Sequence, residues 1–323
     1  MSDLITSFLA NTHCADWVRN RLTGDASTRR YERLESLSGE TAVLMICKPG
    51  SAAEMDRFIV IANALRAAGL AAPQIYNSDT SAGLMLIEDL GTDDIASVMR
   101  RTPELDLQCY TAATDVLLNL RKVSPLDLSA LNAKNAAAWL DPLADWYGPQ
   151  VIDIAAIQTS VLNAFDTLGL KADTLSLRDY HAENLIWRHQ EQGLASIGLL
   201  DFQDAVYAPA GYDFASLTRD ARRDVDPELT DALTVKMARD LNVNQQDFEA
   251  RVACLSVQRN LRILGIFASL AKRDGKTDYA AYAPRVWRYL QRDLAHPALT
   301  DLQKAVLTAV PEPTQDFLAR WTK

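Results

Sequence analysis

The sequence predicts an α+β chain of two lobes: a small antiparallel-sheet lobe with one main helix over residues 1–88, then a larger, mostly helical lobe over residues 89–323. Three observations lead there. Period-two alternation fills the stretch from Tyr31 to Glu88 with a single helical interruption. After Asp89, Leu90 and Gly91 the apolar spacing becomes helical. The helical part is then broken once, between Leu175 and Phe202, by two short apolar runs around a polar turn.

In chain order, Tyr31 to Leu37 and Thr41 to Cys47 alternate as strands, and Ser38, Gly39 and Glu40 supply the turn of a hairpin. Met55, Phe58, Ile59, Ala62 and Leu65 recur at helical spacing, and Gly69 and Pro73 close that helix. A second hairpin runs from Gln74 to Glu88 with Asn77 to Gly83 as its turn, giving strand, strand, helix, strand, strand. Helices follow near Asp94 to Met99, Glu104 to Val123, Asn132 to Leu143 and Val151 to Leu168, and again at Phe248 to Leu270 and Ala283 to Leu294. The interrupting hairpin pairs Asn184 to Trp187 with Ile197 to Leu200. No repeat or long linker is visible, so the lobes are expected to meet at a short hinge from Glu88 to Gly91.

With 323 residues, 48% of them apolar, the chain can bury a large core. Its net charge of -9 argues against a nucleic-acid partner, which would require a cationic surface. No apolar stretch is long enough for a membrane span and the start lacks a signal-peptide pattern, so a cytoplasmic location and a small-molecule partner are expected. Cys14, Cys47, Cys109 and Cys254 have no metal or redox spacing and read as reduced core thiols. His13, His189 and His296 are isolated surface residues in this reading, and His181 supports loop geometry.

Chemistry is concentrated in Leu177-Arg178-Asp179-Tyr180-His181-Ala182-Glu183-Asn184 and in Gly198-Leu199-Leu200-Asp201-Phe202. Phosphoryl transfer from ATP needs a carboxylate that orients the acceptor hydroxyl and takes its proton, and oxygen ligands for Mg2+ on the phosphates. Asp179 suits the first task; Asn184 and Asp201 suit the second. The five-residue step from Asp179 to Asn184, followed by a hairpin that delivers Asp201, resembles the protein-kinase-like phosphotransferases of the aminoglycoside-phosphotransferase and choline-kinase superfamily. That resemblance implies a protein-kinase-like two-lobed fold with ATP and Mg2+ as cofactors. Where the family usually has His-Gly or His-Arg before the aspartate, this chain has Leu177-Arg178.

The resemblance also places a nucleotide loop between the first two strands, at Leu22 to Tyr31, with phosphate contacts from Ser27, Thr28 and Arg29. Lys48 ends its strand on the same face as Ile46 and is the candidate to reach the phosphates, with Glu54 or Asp56 as its helix partner. Backbone groups from Glu88 to Leu90 would meet the adenine edge.

More particular motifs are Gly24-Asp25-Ala26-Ser27 with Arg29-Arg30-Tyr31, Asp201-Phe202-Gln203-Asp204-Ala205-Val206, Gly211-Tyr212-Asp213-Phe214, Gln258 to Phe267, and Arg273-Asp274-Gly275-Lys276. Together they look like the bacterial anomeric sugar kinases that phosphorylate N-acetylmuramate and N-acetylglucosamine at the C1 hydroxyl in cell-wall recycling. An amino-sugar acceptor is implied, with Asp204, Asp213, Gln258 and Arg259 as candidate contacts and Trp146 or Tyr147 as aromatic support. Arg259 would suit the lactyl carboxylate of N-acetylmuramate. The alternatives are an aminoglycoside or choline-like kinase, or a nucleotide-binding regulator without turnover.

Overall fold

The structure is a computed structural model and describes residues 2–22, 29–148 and 153–322. The first elements are α1 (Ser2–Ala10), β1 (Val18–Leu22), β2 (Arg30–Glu35), β3 (Thr41–Ile46), α2 (Ala52–Ala67), β4 (Ile75–Asp79), β5 (Leu84–Glu88), α3 (Ile95–Arg101) and α4 (Asp106–Leu120). Next come α5 (Ala133–Ala138), α6 (Ile154–Thr167), β6 (Thr174–Ser176), β7 (Leu185–Trp187), β8 (Ile197–Leu199) and β9 (Val206–Ala208). The chain ends with α7 (Tyr212–Thr218), α8 (Pro227–Asp240), α9 (Gln245–Asp274), α10 (Ala283–Leu294), α11 (Thr300–Ala309) and α12 (Gln315–Leu318). Its contacts divide it into two compact units, Met1–Leu126 with Glu183–Asp204, and Asp127–Ala182 with Ala205–Lys323. Helices α3 and α4 and the β7–β8 hairpin are thereby grouped with the sheet.

In the first unit, five strands form an antiparallel sheet in the order β1-β2-β3-β5-β4. One face carries Leu34, Ala42, Leu44, Ile46, Leu84 and Leu86, which cluster with Ile5 and Leu9 of α1. Alternation puts Tyr31, Arg33, Val43, Met45, Met85 and Ile87 on the other face. Neither α1 nor β1 stands out in the sequence; β1 (Val-Arg-Asn-Arg-Leu) is an edge strand with four exposed residues and no apolar alternation. The second hairpin has a shorter turn than expected, since β4 continues through Asp79.

The β7–β8 hairpin joins this unit through backbone bonds. The Leu199 N–H donates to Ala71 O at 2.8 Å and the Trp187 N–H to Asp93 O at 2.7 Å. Phe202, just beyond β8, stacks on Phe58 of α2 with ring centroids 4.7 Å apart.

The second unit is built around the 30-residue α9, whose Cys254, Leu255, Val257, Leu261 and Leu264 share one core with Val286 and Leu290 of α10 and Ile157, Val161 and Phe165 of α6. A two-stranded ladder, β6 with β9, has runs of only three residues and leaves no periodic signal in the sequence. Helix α7 is pinned at both ends. Gly211, at φ 111, precedes it so closely to α9 that an added Cβ would meet Val252 Cγ2 at 3.3 Å. Arg219, just past its end, forms a buried pair with Asp293 of α10 at 3.2 Å, and Asp293 also accepts from Ser256 of α9.

At Gly265 another segment comes right up to α9: a Cβ there would lie 2.3 Å from Leu143 N and 2.4 Å from Pro142 O. Gly265→Ala should lower unfolding stability by about 3 kcal/mol, although alanine is the better helix former, because backbone atoms cannot turn aside. Denaturant unfolding of the variant checks this; an unchanged midpoint would mean that the segment carrying Pro142 moves freely.

Candidate active site

The residues expected to hold the metal, Asn184 and Asp201, flank the β7–β8 hairpin. The Leu200 N–H donates to Asn184 O at 3.0 Å, continuing the Leu185–Leu199 register, so Asn184 and Asp201 stand at the same open end of the hairpin. Asp201 has φ 54, in the left-handed region that aspartate tolerates better than most residues. Its side chain is exposed, with Oδ1 accepting from Gln203 Nε2 at 2.7 Å, while neighbouring Phe202 is buried against α2. A strained, exposed carboxylate beside a buried anchor is the local pattern of a ligand-holding turn. Among the described residues no three His, Cys, Asp or Glu side chains group to hold a metal unaided. Asn184 and Asp201 nevertheless fit Mg2+, which takes a few hard protein oxygens and leaves its remaining positions to phosphate and water.

Of the expected cofactor contacts, Ser27 and Thr28 lie outside the described residues. Arg29 is half-buried: it pairs with Glu54 of α2 at 3.6 Å, is hydrogen-bonded to Tyr31, and senses the charge of Asp201. Burial alone would lower its pKa; Tyr31, Cys47 and Asp201 more than offset that, and it is raised. Lys48 is exposed in the turn after β3, where its carbonyl accepts the Ser51 N–H at 3.3 Å. Its face-mate Ile46 lies in the core that the sheet forms with α1.

The Glu88 N–H already donates to Gln74 O at 2.7 Å, and the Glu88 carboxylate is held by Arg66 at 3.0 Å. Leu90 is buried, and its backbone N–H and C=O make no hydrogen bond among the described residues, leaving them available to an adenine edge. A clamp missed in the sequence steadies this segment: Arg33 Nε and Nη2 donate to Asp89 at 2.5 and 2.9 Å.

In the second unit, Asp179 is exposed on the loop after β6. The loop is held by Asp213, whose carboxylate accepts from Ser176 Oγ at 2.6 Å, the Leu177 N–H at 2.6 Å and the Arg178 N–H at 3.0 Å. Asp213 was expected to contact the acceptor; the structure gives it instead to the loop, with both oxygens engaged and 5% exposure. It is a positioning residue. Arg178, next to Asp179, has φ 68, so the Asp179 loop and the Asp201 turn each carry a left-handed residue.

Around this loop lie Arg259, 5% exposed with Nη1 unpartnered among the described residues, and Arg262, unremarked from sequence. The Arg178 and Arg262 guanidinium carbons lie 5.1 and 5.9 Å from the centre of the Trp139 ring. The pKa of Arg262 is lowered chiefly by burial and further by Arg178 and Arg259, with Tyr212 and Asp179 opposing. His181 is pushed well below its usual pKa by burial, then by Arg222 and Arg259. Gln258 is committed to Ala136 O through Nε2 at 3.0 Å, and Asp204 is exposed on the turn after Asp201. Tyr147 is a core residue donating to Pro311 O, and Trp146 packs on the same core.

These elements are the parts of a protein-kinase-like small-molecule phosphotransferase. The profile of the phosphotransferase enzyme family matches residues 19–240, and the chain belongs to that family. It is thus an enzyme, a kinase, and a kinase family implies ATP as donor. It is 35% identical to an N-acetylmuramate/N-acetylglucosamine kinase of Caulobacter vibrioides, over 96% of each chain, and 28% identical to one of Pseudomonas aeruginosa, over 90% of this chain and 88% of that one. Among solved structures, a choline/ethanolamine kinase family protein from Mesorhizobium loti superposes with a TM-score of 0.65 at 14% identity, covering 95% of this chain and 99% of that one. An aminoglycoside-3'-phosphotransferase of type VIII gives 0.54 at 15% identity, covering 82% and 98%. The two structural likenesses bear out the two-lobed kinase-like fold.

Burial raises the Asp213 pKa to about 6, outweighing the pull of its three donors and Arg259. Between its ordinary 3.8 and that value, the folded state keeps a proton the unfolded chain has released, so the stabilisation from the raised pKa is full below 3.8 and is lost as pH climbs through about 6. Relative to Asp213→Asn, the wild-type folding constant should fall roughly tenfold per pH unit across that window. Denaturant titrations of both proteins read this directly; a difference independent of pH would contradict it.

Proposed function

We propose that this chain is an ATP- and Mg2+-dependent cytoplasmic kinase that phosphorylates the anomeric C1 hydroxyl of N-acetylmuramate or N-acetylglucosamine in cell-wall recycling. The observation that carries the acceptor class is the set of arginines about the Asp179 loop. Arg178 and Arg262 both lie over the Trp139 ring, and Arg262 feels the charges of Arg178, Arg259 and Asp179, a setting that disfavours a polycationic aminoglycoside or a choline head group. An uncharged or anionic sugar suits it. The names of the two relatives support the same acceptors.

In this reading Asp179 orients the acceptor hydroxyl and takes its proton, while Asn184 and Asp201 hold Mg2+, which neutralises charge on the phosphates. Arg259 reads the lactyl carboxylate. Leu90 offers its backbone to the adenine. The acidic net charge of -9 supports a small acceptor over nucleic acid, and no described helix is long and apolar enough to cross a membrane.

Assayed with Mg2+ and ATP against N-acetylmuramate, N-acetylglucosamine, kanamycin and choline, with products assigned by phosphorus NMR, the enzyme should yield sugar 1-phosphates. Asp179→Asn should lose roughly 10³-fold in kcat and keep nucleotide affinity. Arg259→Ala should raise KM for N-acetylmuramate about tenfold and leave N-acetylglucosamine unchanged. Transfer to kanamycin or choline alone would overturn the acceptor, and an unchanged muramate KM would remove Arg259 from it.

A further inference from the structure

The sheet's two faces decide a question that residue spacing leaves open: which cation meets the phosphates. Resting on the kinase reading, we infer that Arg29, held by Glu54, is the phosphate-binding cation of the first unit and that Lys48 takes no part.

A cation in this role needs three things: a position on the ligand side of the sheet, a carboxylate on the neighbouring helix to aim it, and proximity to the aspartate that holds the metal. Lys48 follows the even-numbered positions of β3, and those positions, Ala42, Leu44 and Ile46, are buried beneath α1. The chain has also left the sheet by then: β3 ends at Ile46, and Lys48 is exposed in a turn with Gly50 at φ 89.

Arg29 meets all three conditions. It continues the odd-numbered face of β2 and lies opposite Cys47 by extension of the Arg30–Ile46 register. Its guanidinium pairs with Glu54 at 3.6 Å, and its side chain is 11% exposed against 60% for Glu54. Glu54 and Phe58 share one face of α2 a turn apart, and Phe58 stacks on the residue after Asp201, so α2 ties both Arg29 and Asp201 to itself. The Coulomb interaction between Arg29 and Asp201 is a consequence of that arrangement. A guanidinium is also the better group for the task, since its five donors can serve Glu54, Tyr31 and phosphate oxygens together.

The test is binding without acceptor, so that an error about the sugar cannot produce either result. Calorimetric titration of the full chain with Mg2+ and a non-hydrolysable ATP analogue, and separately with adenosine, would compare wild type, Arg29→Met, Arg29→Lys, Glu54→Gln and Lys48→Met. Arg29→Met should weaken the triphosphate about 30-fold and leave adenosine unchanged, with Arg29→Lys recovering part of the loss and Glu54→Gln showing a smaller one. Lys48→Met should match wild type. A triphosphate-specific loss in Lys48→Met, or none in Arg29→Met, would overturn the assignment; parallel losses of adenosine would make Arg29 merely structural. A wild type that binds neither ligand would sink the kinase reading along with it.

Discussion

The catalytic loop of this chain depends on one buried carboxylate. Asp213 takes the hydroxyl of Ser176 and the backbone N–H groups of Leu177 and Arg178, three successive residues that lead directly to Asp179. Without that acceptor the buried Leu177 N–H would have nothing to bond, and the Arg178 N–H would keep only Ser176 Oγ, at 3.2 Å, to hold Arg178 at φ 68. The carboxylate can do this because α7 cannot shift: Gly211 lets it touch α9 at one end, and the Arg219–Asp293 pair fixes the other. The chain of cause thus runs from the helical core through α7 to the loop, and only then to an exposed carboxylate fit to act as a base.

The first unit solves the same problem by packing. Asp201 is held in a left-handed turn by its neighbour Phe202, wedged against Phe58, and Asn184 is brought beside it by hairpin register. In both units an exposed functional side chain sits next to a residue with no freedom. Exposed side chains are in this way positioned by buried neighbours.

Asp179, Asn184 and Asp201 could be proposed from the sequence because the chemistry of phosphoryl transfer calls for their types at this spacing. The sheet, α2 and the β7–β8 hairpin were legible from apolar periodicity. Lys48 was a natural choice on the same grounds, and its alternation with Ile46 is real. What alternation cannot say is which face of a sheet looks toward the ligand; that is decided by α1, a nine-residue helix with no sequence signal strong enough to place it over Ile46. Asp213 was misread for a related reason. A carboxylate that bonds backbone 35 residues away leaves no trace in local pattern, and an aspartate near a sugar-kinase motif reads as a sugar ligand. Arg262 and Trp139 were missed because a cation over an indole is a tertiary contact between α9 and the end of α5.

The central claim is a division of labour, with Asp201 as metal ligand and Asp179 as base. Titrating Mn2+ into the ATP complex and following the EPR signal of the free ion separates the two roles. The account predicts that Asp201→Asn weakens Mn2+ binding by about tenfold or more while Asp179→Asn binds it as wild type does. Equal affinity in Asp201→Asn and wild type, or a loss confined to Asp179→Asn, would contradict it.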